Sequence, residues 1–452
     1  MEKLLALVAF QALAADARDC PQLAQTYCHT PAINGCVMSG PTWTALQSGA
    51  EGEPSSKVWR CYAPEALNPS KTAYKPGSGG HYCSRPKQIA ELLKTCKLPQ
   101  PPPPPPPRVQ SNATEVFVPG ELGYPCIRIP SIALAGDGKT LNAFAECRNS
   151  TGDGCEPLHP ARVTGSNRDI CQKQSVDGGR TWGPLRVVAR GPAAQGNPVY
   201  DAATKQLILQ WVQLSPPDTR QMVSIDHGAT WSKWRSICGG GSLPKVACGG
   251  DVGPGVGISL QQGAKKGRLL FIGHFGAYII DRIWFSDDHG KTYSLAQSNL
   301  TGGMDEAQVV ELPSGDLLAN MRNKGAKTNG RAVSRSTDQG SSWGPVSYQK
   351  ELTSPVCMGS ILNVETKVYF ANPDSSVGRV NGVIRSSTDG VNWSAKTQQV
   401  FAGAYGYSCL TAVPEAHKIG LLWESDGPQC AAPGGKFGSS CRTLFSSFDA
   451  DF

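Results

Sequence analysis

A turn signature begins at Ser175 and reads Ser175-Val176-Asp177-Gly178-Gly179-Arg180-Thr181-Trp182, a match to the pattern S-x-D-x-G-x-T-W. The Ser and Asp side chains of such a turn can hydrogen-bond the local backbone, Gly supplies a positive φ, and the aromatic ring packs inward. Further copies occupy residues 224–231, 286–293 and 336–343, and a shortened copy occupies residues 387–393.

The copies are evenly spaced. Their aspartates are Asp177, Asp226, Asp288, Asp338 and Asp389, so the steps are 49, 62, 50 and 51 residues. Self-similarity at a period near fifty residues is typical of β-propeller blades. Short apolar runs bounded by turn residues predict buried strands at 140–145, 206–212, 268–273, 316–321, 367–371 and 418–423. The repeat therefore predicts an all-β chain built as a propeller.

The composition agrees with this fold class and excludes several functions. The chain has 452 residues, of which 17% are charged, 51 are Gly and 35 are Pro, a balance poor in helix formers and rich in turns. The net charge of +7 is spread without a run of Lys or Arg, which argues against a nucleic-acid partner. No C-x-x-C pair occurs, so we expect neither a metal nor a redox cofactor.

The N-terminal part has its own organisation. Residues 1–17 have the length and small-residue end of a cleaved signal peptide, and no segment is long and apolar enough for a transmembrane helix. Residues 18–98 form a cysteine-rich module of unknown role, a candidate contact for carbohydrate or a surface. A polyproline linker follows at 99–108, and the propeller is expected at 109–452.

Cysteine usage supports export. Six of the 16 cysteines fall in the first hundred residues and the other ten after residue 120, both even counts. Connectivity does not follow from sequence, but closeness along the chain favours local pairs such as Cys238–Cys248 and Cys430–Cys441. We expect a secreted or endomembrane-lumenal protein. Asn-x-Ser/Thr acceptor sites for glycans occur at Asn112, Asn149, Asn299 and Asn392, of which Asn112 is expected to be the most accessible.

Residues 120–450 resemble the sialidase (neuraminidase) superfamily, whose members carry these aspartate boxes on a six-bladed propeller of four-stranded antiparallel sheets. The stretch at 124–130 is similar to the family's Arg-Ile-Pro motif, although Ile127 stands where an aromatic is usual. The resemblance makes Arg128 the first of three arginines that grip the substrate carboxylate. A guanidinium suits this task because it binds a carboxylate bidentately and stays charged at any pH.

The stretch at 143–148 resembles the strand that follows this motif. The resemblance implies that Arg148 lines the site and that a nearby aspartate is the general acid and base. Asp153, in a glycine-flanked loop five residues later, is the first candidate. Asp169 is the second, because it opens the strand that leads to the first box. The loop is longer than is usual in the family.

The stretch at 305–312 and the following strand are the most specific match. The resemblance implies that Glu306 polarises the nucleophile and that Arg322 is the second arginine of the triad. Glu311 is the alternative glutamate, but it fits the end of a strand.

The remaining motifs fall near the C-terminus. We choose Arg379 as the third arginine over Arg385, which lies in the strand leading into the last box. Tyr407 matches the family's nucleophile, and Glu424 matches the late glutamate that buttresses the first arginine.

A tyrosine nucleophile has a physical reason. A carboxylate would be repelled by the carboxylate of the substrate, whereas a neutral phenol is not. The phenol is unreactive at its ordinary pKa near 10 and needs a neighbouring base. The resemblance thus implies a retaining mechanism, the tyrosine variant of two-carboxylate glycoside hydrolysis.

Three functions are compatible with these residues. The first is an exo-α-sialidase that hydrolyses terminal sialic acid from glycoproteins, glycolipids or oligosaccharides. The second is a lectin-like propeller that binds sialic acid without turnover. The third is a trans-sialidase, which uses the same residues and passes the sugar to an acceptor.

Overall fold

The computed structural model describes residues 113–149, 168–239, 243–276, 279–325, 328–425 and 442–452, and the backbone of three strands nearer the N-terminus. The chain separates into two compact units, Met1–Pro106 and Pro107–Phe452. In the first unit, one antiparallel sheet is formed by β1 (Thr44–Gly49), β2 (Lys57–Tyr62) and β3 (Tyr82–Cys83). The predicted signal peptide, the polyproline run and Asn112 lie outside the described residues.

The second unit is all-β in its described part. Two single 3₁₀ turns lie at Glu121–Gly123 and Lys245–Ala247. The strands are β4 (Thr114–Phe117), β5 (Cys126–Leu134), β6 (Leu141–Arg148), β7 (Arg168–Ser175), β8 (Arg186–Ala189), β9 (Ala193–Asp201), β10 (Gln206–Leu214), β11 (Pro217–Ser224), β12 (Arg235–Ser236), β13 (Asp251–Val252), β14 (Ile258–Ser259), β15 (Leu269–Phe275), β16 (Ile280–Ser286), β17 (Ser294–Leu295), β18 (Leu300–Thr301), β19 (Met304–Glu311), β20 (Leu317–Asn323), β21 (Arg331–Ser336), β22 (Ser347–Gln349), β23 (Ser360–Val364), β24 (Lys367–Pro373), β25 (Val380–Ser387), β26 (Trp393–Ala404), β27 (Ser408–Ala412), β28 (Lys418–Ser425) and β29 (Arg442–Asp449).

These strands form six antiparallel sheets, the six blades of a propeller. Blade 1 is β5–β8, blade 2 is β9–β12, blade 4 is β19–β22 and blade 5 is β23–β26. Blade 3 is β13-β15-β16-β17 with the short β14 and β18 added at its margins. Blade 6 combines β27, β28 and β29 with β4. The predicted six-bladed propeller of four-stranded sheets is confirmed.

The ring closes by pairing the two ends of the unit. Strand β4 lies antiparallel to β29, with Thr443 opposite Phe117, so the first strand of the unit completes the last blade. The first strands of adjoining blades contact one another around the axis, as β27 does with β5 and β5 with β9. Closure of this kind leaves no long open sheet edge between the first and last blades.

The six predicted apolar runs are confirmed as the second strands of the six blades. They correspond to β6, β10, β15, β20, β24 and β28. Each lies in the interior of its blade and is covered on both faces by neighbouring blades, and every residue of β6, for example, is buried. Trp211, Trp284 and Trp423 are almost fully buried on three of these blades. Burial on both faces explains why the runs are continuous rather than alternating.

The boxes form the turns after the third strand of their blades. In the first, Ser175 Oγ donates to Asp177 at 2.8 Å and accepts from the Gly179 amide at 2.9 Å. Asp177 also accepts from the amide and hydroxyl of Thr181 at 3.0 and 2.6 Å. Gly179 has a φ of 88°, a conformation that favours glycine. The structural role predicted for the box is confirmed.

Strand register shows which end of a blade each motif occupies. In blade 1, Leu141 lies opposite Ser175, whereas Arg148 lies opposite Arg168 at the other end of the same pair of strands. The box is therefore at one end of the blade and Arg148 at the opposite end.

Two disulfides join described cysteines, Cys147–Cys171 and Cys238–Cys248. The second confirms the predicted local pair, whereas Cys430–Cys441 lies outside the described residues. Cys238–Cys248 closes a loop between blades 2 and 3, inside the longest interval between boxes. Among the helices of the described residues, none has the length and apolar character that crossing a membrane requires.

Candidate functional site

Side chains predicted for the site meet at the end of the propeller opposite the boxes. Arg128 lies near the start of β5 and Glu306 near the start of β19, while Arg322 is near the end of β20. Tyr407 immediately precedes β27, and Glu424 is near the end of β28. The group thus draws on blades 1, 4 and 6, with Arg379 added from the loop before β25 of blade 5.

Backbone irregularities aim these side chains. The pairing of β5 with β6 shifts register between Arg128 and Ser131, and Ile129 within this shift has a φ of 61°. A positive φ is rare for a β-branched residue and marks local strain. The pairing of β19 with β20 shifts register around Glu306 in the same way. Such β-bulges commonly re-aim side chains beside active sites.

The centre of the site is a contact between Tyr407 and Glu306. The Tyr407 hydroxyl donates a hydrogen bond to Glu306 Oε1. Arg322 Nη1 lies 2.6 Å from Glu306 Oε2 and 2.9 Å from the Tyr407 hydroxyl. Burial and the adjacent Glu306 carboxylate raise the pKa of Tyr407 well above its ordinary value, although Arg322 and Arg379 act in the opposite direction. The resting phenol is therefore neutral, with a carboxylate placed to accept its proton.

Arg128 is held by Glu424. Its Nε and Nη2 donate to the two carboxylate oxygens at 3.2 and 3.1 Å, and Glu424 is fully buried. Glu424 also accepts the backbone amides of Ile129 at 2.9 Å and Tyr407 at 3.0 Å. Burial alone would raise the pKa of Glu424, but the Arg128 charge and these hydrogen bonds hold it below its ordinary value. One carboxylate thus ties the first arginine to the segment that carries Tyr407.

Arg379 is placed differently. Its guanidinium carbon lies 5.1 Å from the centroid of the Tyr407 ring, the same distance as that of Arg128. Among the described residues, no carboxylate lies within ion-pair distance of Arg379. Arg322 completes the set through its contact with the Tyr407 hydroxyl. Three guanidinium groups therefore surround one phenol, an arrangement suited to an anionic ligand.

Arg148 lies at the same end of blade 1 but is engaged locally. It is buried and contacts Glu146 through Nε at 2.8 Å and Nη2 at 2.6 Å. Glu146 also accepts the Gln195 amide at 2.9 Å. The adjacent Cys147–Cys171 disulfide links β6 to β7 at this level.

The predicted acid, Asp153, lies outside the described residues. The competing Asp169 is buried and accepts from the Tyr124 hydroxyl at 2.5 Å and the Gly191 amide at 2.8 Å. Through these contacts Asp169, at the start of β7, is bound to Tyr124 and to the segment that follows β8.

Arg385 and Glu311, the second choices for the third arginine and the glutamate, are engaged away from Tyr407. Arg385 contacts Asp374 at 2.8 Å, and the Glu311 carboxylate accepts the amides of Gln261 and Gln262 at 2.6 and 3.0 Å.

Several residues near the site were not singled out from the sequence. Asp305 and His274 lie behind Arg322 and Glu306, and Asp281 is fully buried beside them. Cys357 is a buried free thiol that packs with Ile129 and Tyr407. Asp305 adjoins a predicted residue, but the other three carry no local motif, and only the packing of blades brings them here. Among the described residues, no cluster of His, Cys, Asp or Glu has an arrangement that would hold a metal ion.

Comparisons with known proteins agree with this geometry. Residues 161–419 match the family described as BNR repeat-like domain. The sialidase of Micromonospora viridifaciens is 32% identical over 359 residues, covering 69% of this chain and 51% of that protein. The sialidase of Bacteroides fragilis is 30% identical over 352 residues, covering 68% of this chain and 61% of that protein. The chain thus spans only 51% and 61% of the length of these two curated relatives.

A solved structure also shows similarity to a sialidase. A Hadza microbial sialidase superposes with a TM-score of 0.57 at 25% identity, covering 72% of this chain and 66% of that one. The family match extends over more than half of the sequence, and the fold and repeat agree with it. The chain belongs to the BNR repeat-like family, within the sialidase superfamily.

Proposed function

We propose that this protein is an exo-α-sialidase that hydrolyses terminal sialic acid from glycoproteins, glycolipids or oligosaccharides with retention of configuration. The observation that carries the proposal is the hydrogen bond from the Tyr407 hydroxyl to Glu306 within a ring of three arginines. A neutral phenol with an adjacent base suits attack on a substrate that already carries a carboxylate.

In the proposed first step, the Tyr407 oxygen attacks the anomeric carbon while Glu306 takes the phenolic proton. Asp153 gives a proton to the departing glycosidic oxygen, so the glycosidic bond breaks as the bond to Tyr407 forms. In the second step Asp153 removes a proton from water, which displaces Tyr407 and releases the sugar, and Glu306 returns the proton to the phenol. Two displacements at one carbon restore the original configuration.

The arginines have the binding role in this proposal. Arg128, Arg322 and Arg379 grip the sugar carboxylate, and Arg148 lines the pocket. Their fixed positive charge also stabilises the oxocarbenium-like transition state by holding the adjacent carboxylate in place. Glu424 has no direct part in the chemistry and fixes the direction of Arg128.

We further propose export to an oxidising compartment, either outside the cell or in an endomembrane lumen. Cys147–Cys171 and Cys238–Cys248 support this, because such bonds persist mainly in those compartments. The cysteine-rich module at 18–98 is proposed as a contact for carbohydrate or a surface.

The test is release of a fluorescent phenol from an aryl sialoside by the full chain, with NMR of the first-formed sugar anomer. Tyr407→Phe is expected to abolish turnover. Tyr405→Phe is the matched control, because Tyr405 is buried two residues away and its hydroxyl has no hydrogen-bond partner among the described residues. Full activity in Tyr407→Phe, or inversion of the anomer, would rule out the mechanism.

Product analysis separates the other two functions. Wild-type protein that binds sialyllactose without releasing sugar is a lectin-like propeller. Transfer of sialic acid to added lactose in preference to water identifies a trans-sialidase.

A further inference from the structure

Behind Glu306 lies a group of buried polar residues that the proposed mechanism leaves unused. Asp305 is fully buried, and its Oδ1 accepts the backbone amide of Glu306 at 2.8 Å. Its Oδ2 lies 3.3 Å from Arg322 Nε and 3.7 Å from Lys324 Nζ. The same carboxylate therefore lies against both residues that touch the Tyr407 hydroxyl, at the backbone amide of Glu306 and at the guanidinium of Arg322.

Blade 3 supplies a row of titratable side chains on the far side of Asp305. Asp251, His274 and Asp281 lie directly opposite one another on β13, β15 and β16. Directly paired residues on adjacent strands project to the same face of a sheet. His274 Nε2 lies 3.6 Å from Asp305 Oδ1 and 3.3 Å from Asp251 Oδ2. His274 thus joins two carboxylates from two different blades.

We propose that Asp305 is a positioning residue for the reaction proposed above, and that His274 holds Asp305 in place. The inference rests on the proposed function. Arg322 Nη1 contacts the nucleophile pair on one side, and Asp305 Oδ2 lies at ion-pair distance, 3.3 Å, from Nε on the other, where neither of these two atoms has a hydrogen-bond partner among the described residues. Two contacts on different edges fix the plane of a guanidinium, whereas one contact leaves it free to rotate.

The charges around Asp305 are consistent with this role. Asp305 and Glu306 are adjacent buried carboxylates that repel each other. Two cationic groups, Arg322 and Lys324, offset the repulsion, and His274 adds a third when it is protonated. Burial alone would lower the pKa of His274, but the hydrogen bond and charge of Asp251, with the charges of Asp305 and Glu306, raise it. Asp281, Arg331 and the Cys357 thiol are further charged or titratable groups at this junction. A protonated His274 can donate to either flanking carboxylate.

The first test is steady-state kinetics on an aryl sialoside with the full chain carrying Asp305→Asn. We expect kcat to fall about 10- to 100-fold, because a misplacement of about 1 Å in a reacting site can cost about 10²-fold in rate. Asp287→Asn is the matched control, because Asp287 contacts Arg268 at 2.7 and 2.8 Å in blade 3 but has no contact with the Tyr407 site. That control should stay within about twofold of wild type.

Two substitutions of His274 with different expected effects provide a second test. His274→Gln keeps an N–H donor and should retain most of the activity, whereas His274→Phe should lose about as much as Asp305→Asn. If the two variants have equal melting temperatures and His274→Gln has the higher kcat, the effect comes from positioning by the N–H donor and not from packing. The inference is overturned if Asp305→Asn keeps the wild-type kcat, or if Gln and Phe behave alike.

A readout independent of activity distinguishes this inference from the proposed function. The Arg322 Nε–H resonance, assigned by its loss in Arg322→Lys, should shift in Asp305→Asn and in His274→Phe but not in Asp287→Asn. Wild-type protein that releases no sugar would refute the proposed function, while the resonance would still decide whether Asp305 restrains Arg322. An unmoved resonance refutes the positioning role. If Asp305→Asn does not fold, the two His274 variants supply the same comparison.

Discussion

The Tyr407 hydroxyl is hydrogen-bonded to the Glu306 carboxylate although the two residues are 101 positions apart and belong to blades 6 and 4. Arg322, also in blade 4, contacts both. Because burial and Glu306 raise the pKa of Tyr407, the phenol depends on Glu306 to lose its proton.

This dependence predicts non-additive kinetics. Glu306→Gln should lower kcat by about 10²- to 10⁴-fold, the usual contribution of a general base. The double variant Glu306→Gln/Tyr407→Phe should lose no more than Tyr407→Phe alone, because the two groups act as one unit. Single-turnover and steady-state rates on an aryl sialoside measure this, and multiplied losses would show that the residues act separately.

The role proposed for Asp153 predicts a dependence on the leaving group. An aryl leaving group departs with little protonation, whereas a sugar hydroxyl needs an acid. Asp153→Ala should therefore lower the rate of sialyllactose cleavage about 10²-fold or more. The same variant should lower the rate of the first half-reaction of an aryl sialoside considerably less. Asp169→Asn is the comparison. If Asp169→Asn shows this selectivity and Asp153→Ala does not, Asp169 is the acid.

Arg379 has no carboxylate partner among the described residues, so its substitution should affect binding rather than folding. Loss of a charge-assisted hydrogen bond corresponds to about 1.5–3 kcal/mol, so Arg379→Ala should raise KM for a sialoside about 10- to 100-fold. Arg379 is half-buried, and the melting temperature of the variant should change by only a few degrees. An unchanged KM would remove it from the carboxylate site, and Arg385→Ala serves as the parallel test.

Glu424 should contribute stability that depends on pH. Removing one partner of a buried ion pair costs about 3–5 kcal/mol, so Glu424→Gln should lower the free energy of unfolding by that amount at pH 7. The pKa of Glu424 is lowered in the folded state, so this contribution is present above its unfolded pKa of about 4.3. It is lost as the pH falls through the lower folded pKa. Urea unfolding at several pH values tests the trend.

The surface pair of Arg180 with Glu415 is the control for Glu424. It lies at 3.2 Å with Arg180 74% exposed, so Glu415→Gln should change stability by no more than about 1 kcal/mol at any pH. A Glu424→Gln effect as small as this would show that Arg128 does not need its carboxylate.

The contribution of Asp281 to folding stability should depend on pH in the opposite sense to that of Glu424. Burial and the charges of Asp305 and Glu306 raise its pKa well above the ordinary value, while Arg331 acts against them, and neither carboxylate oxygen has a hydrogen-bond partner among the described residues. The unfolded chain releases this proton near pH 3.9 and the folded chain holds it, so wild-type stability falls as pH rises through that interval.

Asp281→Asn removes this titration while keeping the shape of the side chain. Its melting temperature should exceed that of wild type by a few degrees at pH 7, and the difference should vanish near pH 4. Calorimetry across this range measures it. A constant offset at every pH would show that Asp281 is not held protonated.

Local chemistry explains how much of the fold could be predicted from sequence. Each box is a local turn whose Ser, Asp and Gly form their hydrogen bonds within a few residues, so its pattern can be recognised in the sequence alone. The second strands are continuous apolar runs because blades cover both faces. The motifs around Arg128, Glu306 and Tyr407 lie in or next to the first strands of blades 1, 4 and 6 and keep their local context, so they are recognisable by resemblance.

Other features depend on contacts between blades. The closure of β4 onto β29, the register shifts at Arg128 and Glu306, and the position of Arg379 over the Tyr407 ring follow from packing around the axis. Asp305 stands beside a recognised residue, but its contact with His274 of blade 3 has no signature along the chain.

The repeat and the strand positions follow from the sequence alone, because turn chemistry and apolar patterning act over a few neighbouring residues. The reacting groups are candidates that the resemblance supplies. The packing of the blades is needed to show that Arg128 is paired with Glu424, that Asp305 lies against Arg322, and that Tyr407 meets Glu306. The Arg128–Glu424 and Tyr407–Glu306 contacts join residues 296 and 101 positions apart, and their geometry is set by how six blades close into a ring.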